Sequence, residues 1–224
     1  MASKALTSFD QKVKAEVTVL RDLVSELSGS APGRREDRFK VLHRSSIILL
    51  TAAFERYCES ILIEAAEILS KYAKNPLMLP KALRKNVASQ KQVEKNKNDL
   101  FAWDFAGDGW RDLVVSYVLR RTGALNTPNS DNIRMLFDDL LGISDITTSW
   151  GRKGMKAVNA CDRLDDWIER RGDIAHGAEG AAVILADVQR YEDFLRQTVT
   201  RTDSSVELEL GIILKNSSWT GFPP

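Results

Sequence analysis

One short segment carries residue types at a spacing that can do chemistry. In Leu164-Asp165-Asp166-Trp167-Ile168-Glu169-Arg170-Arg171-Gly172-Asp173-Ile174-Ala175-His176-Gly177, four residues separate Arg171 from His176, and Arg170 adds a second cation just before them. Imidazole titrates near neutral pH and exchanges protons, whereas guanidinium is a fixed cation whose fork grips phosphate oxygens. Without metal ligands the pair suits phosphodiester cleavage in RNA. The ribose 2′-OH attacks, His relays protons, and Arg holds the charge of the phosphorane. That chemistry needs no cofactor and spares DNA, which lacks the 2′-OH.

The spacing also sets a geometric condition. Five residues of α-helix turn the chain by about 500°, leaving the two side chains roughly 140° apart. Either Gly172 bends the chain between them, or two subunits share one site. The same residues fit a plain helix end, with His176 before Gly177 as a cap and Arg170-Arg171 complementing the helix dipole.

Composition removes several other chemistries. The 224 residues hold only 2 His and 2 Cys. His43, Cys58, Cys161 and His176 lie at none of the short spacings of zinc sites, so no metal is expected, and two lone cysteines point to a reducing compartment. There is no Walker-type glycine loop, dinucleotide fingerprint, nucleophile elbow or His-Glu-x-x-His helix. With 32 Lys+Arg against 31 Asp+Glu, the net charge is +1, so any nucleic-acid contact must come from a local patch. The N-terminus lacks the apolar stretch of a signal peptide. The strongest apolar run, 47–54, stops at Glu55-Arg56, far short of the ~20 residues that cross a bilayer. A cytoplasmic protein without membrane contact is expected.

The elements that must position the motif read mostly as helix. Phe9, Val13, Val17, Leu20, Val24 and Leu27 recur at steps of three and four over 8–27, with Ser8 and Gln11 as a candidate capping box. From about 35 to 73 there is no Gly or Pro, and Leu42, Leu49, Ala53, Tyr57, Ile61, Ala65, Ile68 and Tyr72 predict a long spine helix. Further helices are expected at 110–121, 131–141, 155–171 and 181–201. Between them, 81–97 carries Lys81, Arg84, Lys85, Lys91, Lys95 and Lys97 against the single acid Glu94, followed by Phe101, Trp103, Phe105 and Trp110. This 81–110 segment reads either as an RNA contact, with cations on phosphates and rings on bases, or as a solvated insertion packed by its aromatic loop. Near the end Val206, Leu208, Leu210 and Ile212 alternate with other residues at the period of a strand. The expected architecture is an all-α helical bundle over 1–202, with a tail at 203–224 that pairs as an edge strand.

Three segments, in order, then resemble one superfamily. They are Ile48-Leu49-Leu50-Thr51-Ala52-Ala53-Phe54-Glu55-Arg56-Tyr57, Asn132-Ile133-Arg134-Met135-Leu136-Phe137 with Leu141-Gly142-Ile143, and Glu169 to Gly177. They are similar to the long early helix, the middle helix and the Arg-Asn-x-Ile-Ala-His-Gly signature of the HEPN superfamily, RiboL-PSP-HEPN subgroup. The resemblance implies a bundle that forms a homodimer and brings two Arg–His motifs into one cleft. It implies a metal-independent endoribonuclease, a toxin or effector of a prokaryotic toxin–antitoxin or defence system, with an antitoxin or defence-complex protein as partner. His176 would be the acid–base residue, Arg171 the phosphate clamp, Glu55 an orienting carboxylate and Arg170 a second phosphate contact. The subgroup usually has Asn after the Arg where this chain has Gly172, and Asp173 is the candidate to replace that polar contact. Other members of the superfamily are non-catalytic modules that bind RNA or a partner protein, which is the alternative.

Overall fold

The computed structural model describes residues 2–27, 32–94, 101–177 and 182–215 together with Trp219, some side chains near helix ends excepted. Seven helices follow in order: α1 (Lys4–Leu27), α2 (Pro32–Tyr72), α3 (Lys81–Glu94), α4 (Gly109–Thr122), α5 (Ser130–Leu141), α6 (Ala157–Ala175) and α7 (Leu185–Leu214). Among the described residues there is no strand, only an isolated antiparallel bridge between Arg152 and Met155.

Helix α2 is the spine, with α1, α4, α5, α6 and α7 all packed on it. Its buried stripe runs through Ile47, Leu50, Phe54, Cys58, Ile61, Ala65 and Leu69. Leu49, expected in that stripe, is 47% exposed. The run 47–54 is apolar on every side, so its pattern sets no phase for the helix. Helix α1 lies antiparallel on α2, Phe9 meeting Tyr57 edge-on at 5.9 Å. It starts earlier than the Ser8–Gln11 pattern suggests because Ser3 caps it locally and Glu64 caps it from a distance. Ser3 Oγ accepts from the Leu6 N–H at 2.9 Å, and the Glu64 carboxylate of α2 accepts from the N–H groups of Lys4 and Ala5, each at 3.0 Å.

Helix α7 runs parallel to α2, pinned by Thr51 Oγ1 to the Tyr191 hydroxyl at 3.0 Å and by the Tyr57 hydroxyl donating to Val199 O at 2.9 Å. Helix α6 runs antiparallel to α7, Trp167 stacking on Tyr191 at 4.6 Å. The edge strand expected near the end is instead the last part of α7, which continues through residue 202 to Leu214. Val199, Thr202, Val206 and Leu210 are buried at helical steps, while Leu208 and Ile212 face solvent at 66% and 63% exposure. Positions 206 and 210 satisfy both periods, which is why the alternation misleads. Tertiary contact decides the matter: the buried Asp203 carboxylate accepts from Ser3 Oγ and ties α7 to the start of α1.

The basic segment is built into the bundle as α3, which buries Leu83 and Val87 and packs on α4 and α5. Of the aromatic residues that follow, Trp110 is buried and Trp103 is 74% exposed. No helix among the described residues is long and apolar enough to cross a membrane.

Candidate active site at the end of helix α6

Helix α6 buries Ala160, Leu164, Trp167 and Ile174 at steps of three and four. Arg171 takes the place in that stripe where another apolar residue is due. Its side chain is half-buried, and its Nε is enclosed with no hydrogen-bond partner among the described residues. Its guanidinium acts on two groups of neighbouring helices. Burial raises the pKa of the Glu55 carboxyl on α2, the Glu59 charge adds to this, and Arg171 opposes both. Burial likewise pushes the Tyr191 hydroxyl of α7 up, against the hydrogen bond from Thr51 and the charge of Arg171. A cation, a carboxyl and a hydroxyl thus line the seam where α2, α6 and α7 meet.

Gly172 does not bend the chain. The helix continues through Ala175, and the His176 N–H donates to Gly172 O at 2.9 Å in the ordinary helical pattern. The helix stops at Gly177, whose φ of +77° is the left-handed conformation glycine adopts without strain. His176 is therefore the C-cap and is exposed, whereas Arg171 points into the seam. A single chain brings Arg171 to Glu55 but does not bring Arg171 and His176 onto one face. Asp173 is exposed.

Arg170, expected as a second phosphate contact, is held inside the fold. Its Nη2 donates to Ala182 O and lies 3.3 Å from Asp187 Oδ2, and its guanidinium sits 5.2 Å over the Trp167 ring. It closes the α6–α7 connection, whose residues 178–181 lie outside the described ones. Arg44 of α2 also reaches the end of α6. Its Nη2 donates to Ile174 O at 3.4 Å and places a cation at the carbonyl end of α6. No local motif marks it, because its partner is 130 residues away. His43 beside it is an interior residue, stacked on Phe39, with Nδ1 3.3 Å from Val183 O.

On α3, Lys81 and Lys85 are exposed, Arg84 donates through Nε to Leu79 O at 3.1 Å, and the Lys91 side chain lies outside the described residues. Among the described residues no cluster of His, Cys, Asp or Glu could hold a metal ion. Burial pushes the Cys58 thiol far up, so it is no nucleophile. A cavity of about 170 Å³ lies between α4 and α5, lined by Arg121, Leu125, Asn126, Thr127, Asn132 and Met135. No motif residue reaches it.

Seven helices, one of them a long spine, with a half-buried arginine and an exposed imidazole at the end of the sixth, define a helical-bundle module of the HEPN type. The RiboL-PSP-HEPN family model matches residues 13–208, and the chain belongs to that family. No curated protein and no solved structure matches the chain significantly.

Proposed function

We propose that this protein is a metal-independent endoribonuclease, a toxin or effector of a prokaryotic defence or toxin–antitoxin system, working as a homodimer. The observation that supports this most is Arg171, a guanidinium kept in an apolar stripe with an unpartnered Nε. A fold needing only packing there is better served by leucine or methionine. In the proposed reaction the 2′-oxygen attacks phosphorus, the bond to the 5′-oxygen breaks, and a 2′,3′-cyclic phosphate remains. One His176 takes the 2′-OH proton, the partner's His176 gives a proton to the departing 5′-oxygen, and Arg171 meets the charge on the phosphorane. Two copies are required because His176 is exposed at the helix end while Arg171 lies in the seam. Purified protein should cleave RNA in EDTA and leave cyclic phosphate ends. His176→Ala should lower the rate by about 10²-fold or more with the oligomeric state intact. Retained cleavage removes His176 from the mechanism.

A second reading has its own support: a non-catalytic module that binds RNA or a partner protein, such as an antitoxin or a defence-complex subunit. The separate faces of Arg171 and His176 and the glycine at position 172 favour it. Equal growth arrest by wild type and His176→Ala in cells would select it.

A further inference from the structure

Three arginines from separate parts of the chain converge away from the motif. The guanidinium groups of Arg152 and Arg163 lie 6.0 and 5.3 Å from the ring of Phe194, a side chain only 1% exposed. Arg201, two helical turns further along α7, acts on the same charge. Burial first, and then the Arg163 and Arg201 charges, hold the Arg152 guanidinium below its usual range. No carboxylate enters that balance, and none of the three arginines forms an ion pair among the described residues. The Nη1 atom of Arg152 is enclosed with no hydrogen-bond partner. Other partly buried arginines of this fold are neutralised: Arg170 by Asp187, Arg134 by Asp145 and Arg196 by Glu192.

The loop before α6 carries the same sign. Residues 150–161 contain Arg152, Lys153 and Lys156 and no acid. Helix α6 begins at Ala157 without a side-chain cap and with no acid in its first turn, so the positive end of its dipole is uncompensated. The loop lies against that helix start, since a Cβ on Gly151 would stand 3.3 Å from the Ala157 nitrogen. Three forked cations with no carboxylate paired to them fit a ligand with several charged oxygens.

We propose that Arg152, Arg163 and Arg201, beside the start of α6, form a phosphate-binding site that takes a phosphodiester of an RNA strand lying along α6 and α7. The assignment to RNA rests on the proposed nuclease reading; the phosphate site itself does not. Arg163 and Arg171 are eight residues apart on one helix, about 12 Å along its axis, a span that a short strand bridges. RNA held there would run towards the Arg171 seam, which lies about 80° further round the helix.

The test compares His176→Ala protein, which leaves RNA uncut under the proposed mechanism, with the same protein also carrying Arg163→Gln and Arg201→Gln. Arg152 is left in place because it is the most enclosed of the three. Thermal unfolding is followed with inorganic phosphate against chloride at equal ionic strength, and binding of a single-stranded RNA 12-mer by fluorescence anisotropy over a salt series. Phosphate is expected to raise the unfolding temperature of the parent and not of the variant. RNA affinity is expected to fall several-fold, and its salt slope to drop by about 0.7 per arginine removed. The variant alone should melt at or above the parent, because like charges have been removed, whereas a merely structural role would lower it. Phosphate protection lost with RNA binding unchanged, or absent in both proteins, assigns the site to free phosphate and overturns the RNA assignment. Phosphate protection and RNA binding both unchanged overturn the site. Neither readout is cleavage, so failure of the nuclease reading leaves the test standing.

Discussion

Replacing Arg171 with methionine should make the protein more stable and inactive. The side chain occupies a stripe position between Trp167 and Ile174, and its enclosed Nε has no acceptor. An unmade hydrogen bond of a buried group costs about 1–3 kcal/mol, and the lower end applies because the residue is only half-buried. Methionine removes that penalty and keeps an unbranched apolar stem in the seam. Against this stands the lost attraction to Glu55, itself partly exposed, for which about 0–1 kcal/mol is the measured range of such pairs. The balance favours Arg171→Met by up to ~1 kcal/mol, a rise of about 2–4 °C in Tm for a domain of this size. RNA cleavage should fall by about 10²–10³-fold, the effect of removing one transition-state donor. Calorimetry and single-turnover cleavage of a labelled RNA measure the two effects on the same preparation. A fall in Tm of more than about 2 °C would refute the reasoning, since Arg171 would then hold the fold together.

Three other substitutions test neighbouring parts of the argument. Gly172→Ala lies inside α6, where an added Cβ meets no atom within 4 Å, so it should stabilise the monomer fold by about 0.5–1 kcal/mol in urea unfolding. A loss of stability instead would mean that a second copy packs closely on that glycine. Glu55→Gln should change the pH dependence of stability. Burial raises the Glu55 pKa in the fold, so the contribution of its protonated form is present below the ordinary carboxylate range and is lost as pH rises through the raised value. Glu55→Gln should therefore gain on wild type as urea unfolding is repeated from about pH 4 to pH 7. The opposite trend would show that attraction to Arg171 outweighs burial. Thr202→Val removes the acceptor of the fully buried Trp150 indole N–H, bonded at 2.9 Å, and should cost about 1–3 kcal/mol by the same measurement. An unchanged urea midpoint would mean that the indole finds another acceptor.

Local features were legible from the sequence, and features set by distant partners were not. The apolar stripe of α1 and the Arg171–His176 motif lie within single helices, where spacing alone carries the information. The behaviour of Gly172 was half-legible: spacing posed the choice between a bend and a shared site, and the regular hydrogen bond from His176 to Gly172 removed the bend. Arg170 could not be read, because it looks like a twin of Arg171 until Asp187 and Ala182, from beyond the next loop, are seen to hold it. The start of α1 depends on Glu64 and Asp203, 60 and 200 residues away. The last part of α7 is set in the same way, since its alternation is visible in the sequence and its contact with Ser3 is not. Arg152, Arg163 and Arg201 lie too far apart in sequence to form any pattern.

The net charge of +1 takes on a narrower meaning once the arginines are sorted by partner. Arg121 pairs with Asp139 at 3.0 Å, Arg134 with Asp145 at 3.2 Å, Arg170 with Asp187 and Arg196 with Glu192. These cations join elements or brace a helix, and the fold answers each with a carboxylate. Arg171 on one side of α6, and Arg152 with Arg163 and Arg201 towards its other end, form no ion pair among the described residues, and Arg171 has only the attraction of Glu55 across the seam. Overall neutrality shows that carboxylates are not scarce, so the lack of an ion pair at these two places is a local property of the chain. Partly buried cations without counter-charges lower stability, and they persist where a ligand supplies the missing anion. Both unanswered places lie along α6, the helix that ends in His176. One helix thus lies beside both positions at which a bound phosphate would supply the missing ion pair. On this argument RNA binding should raise Tm, and removing either arginine group should abolish part of that rise while leaving the free protein no less stable.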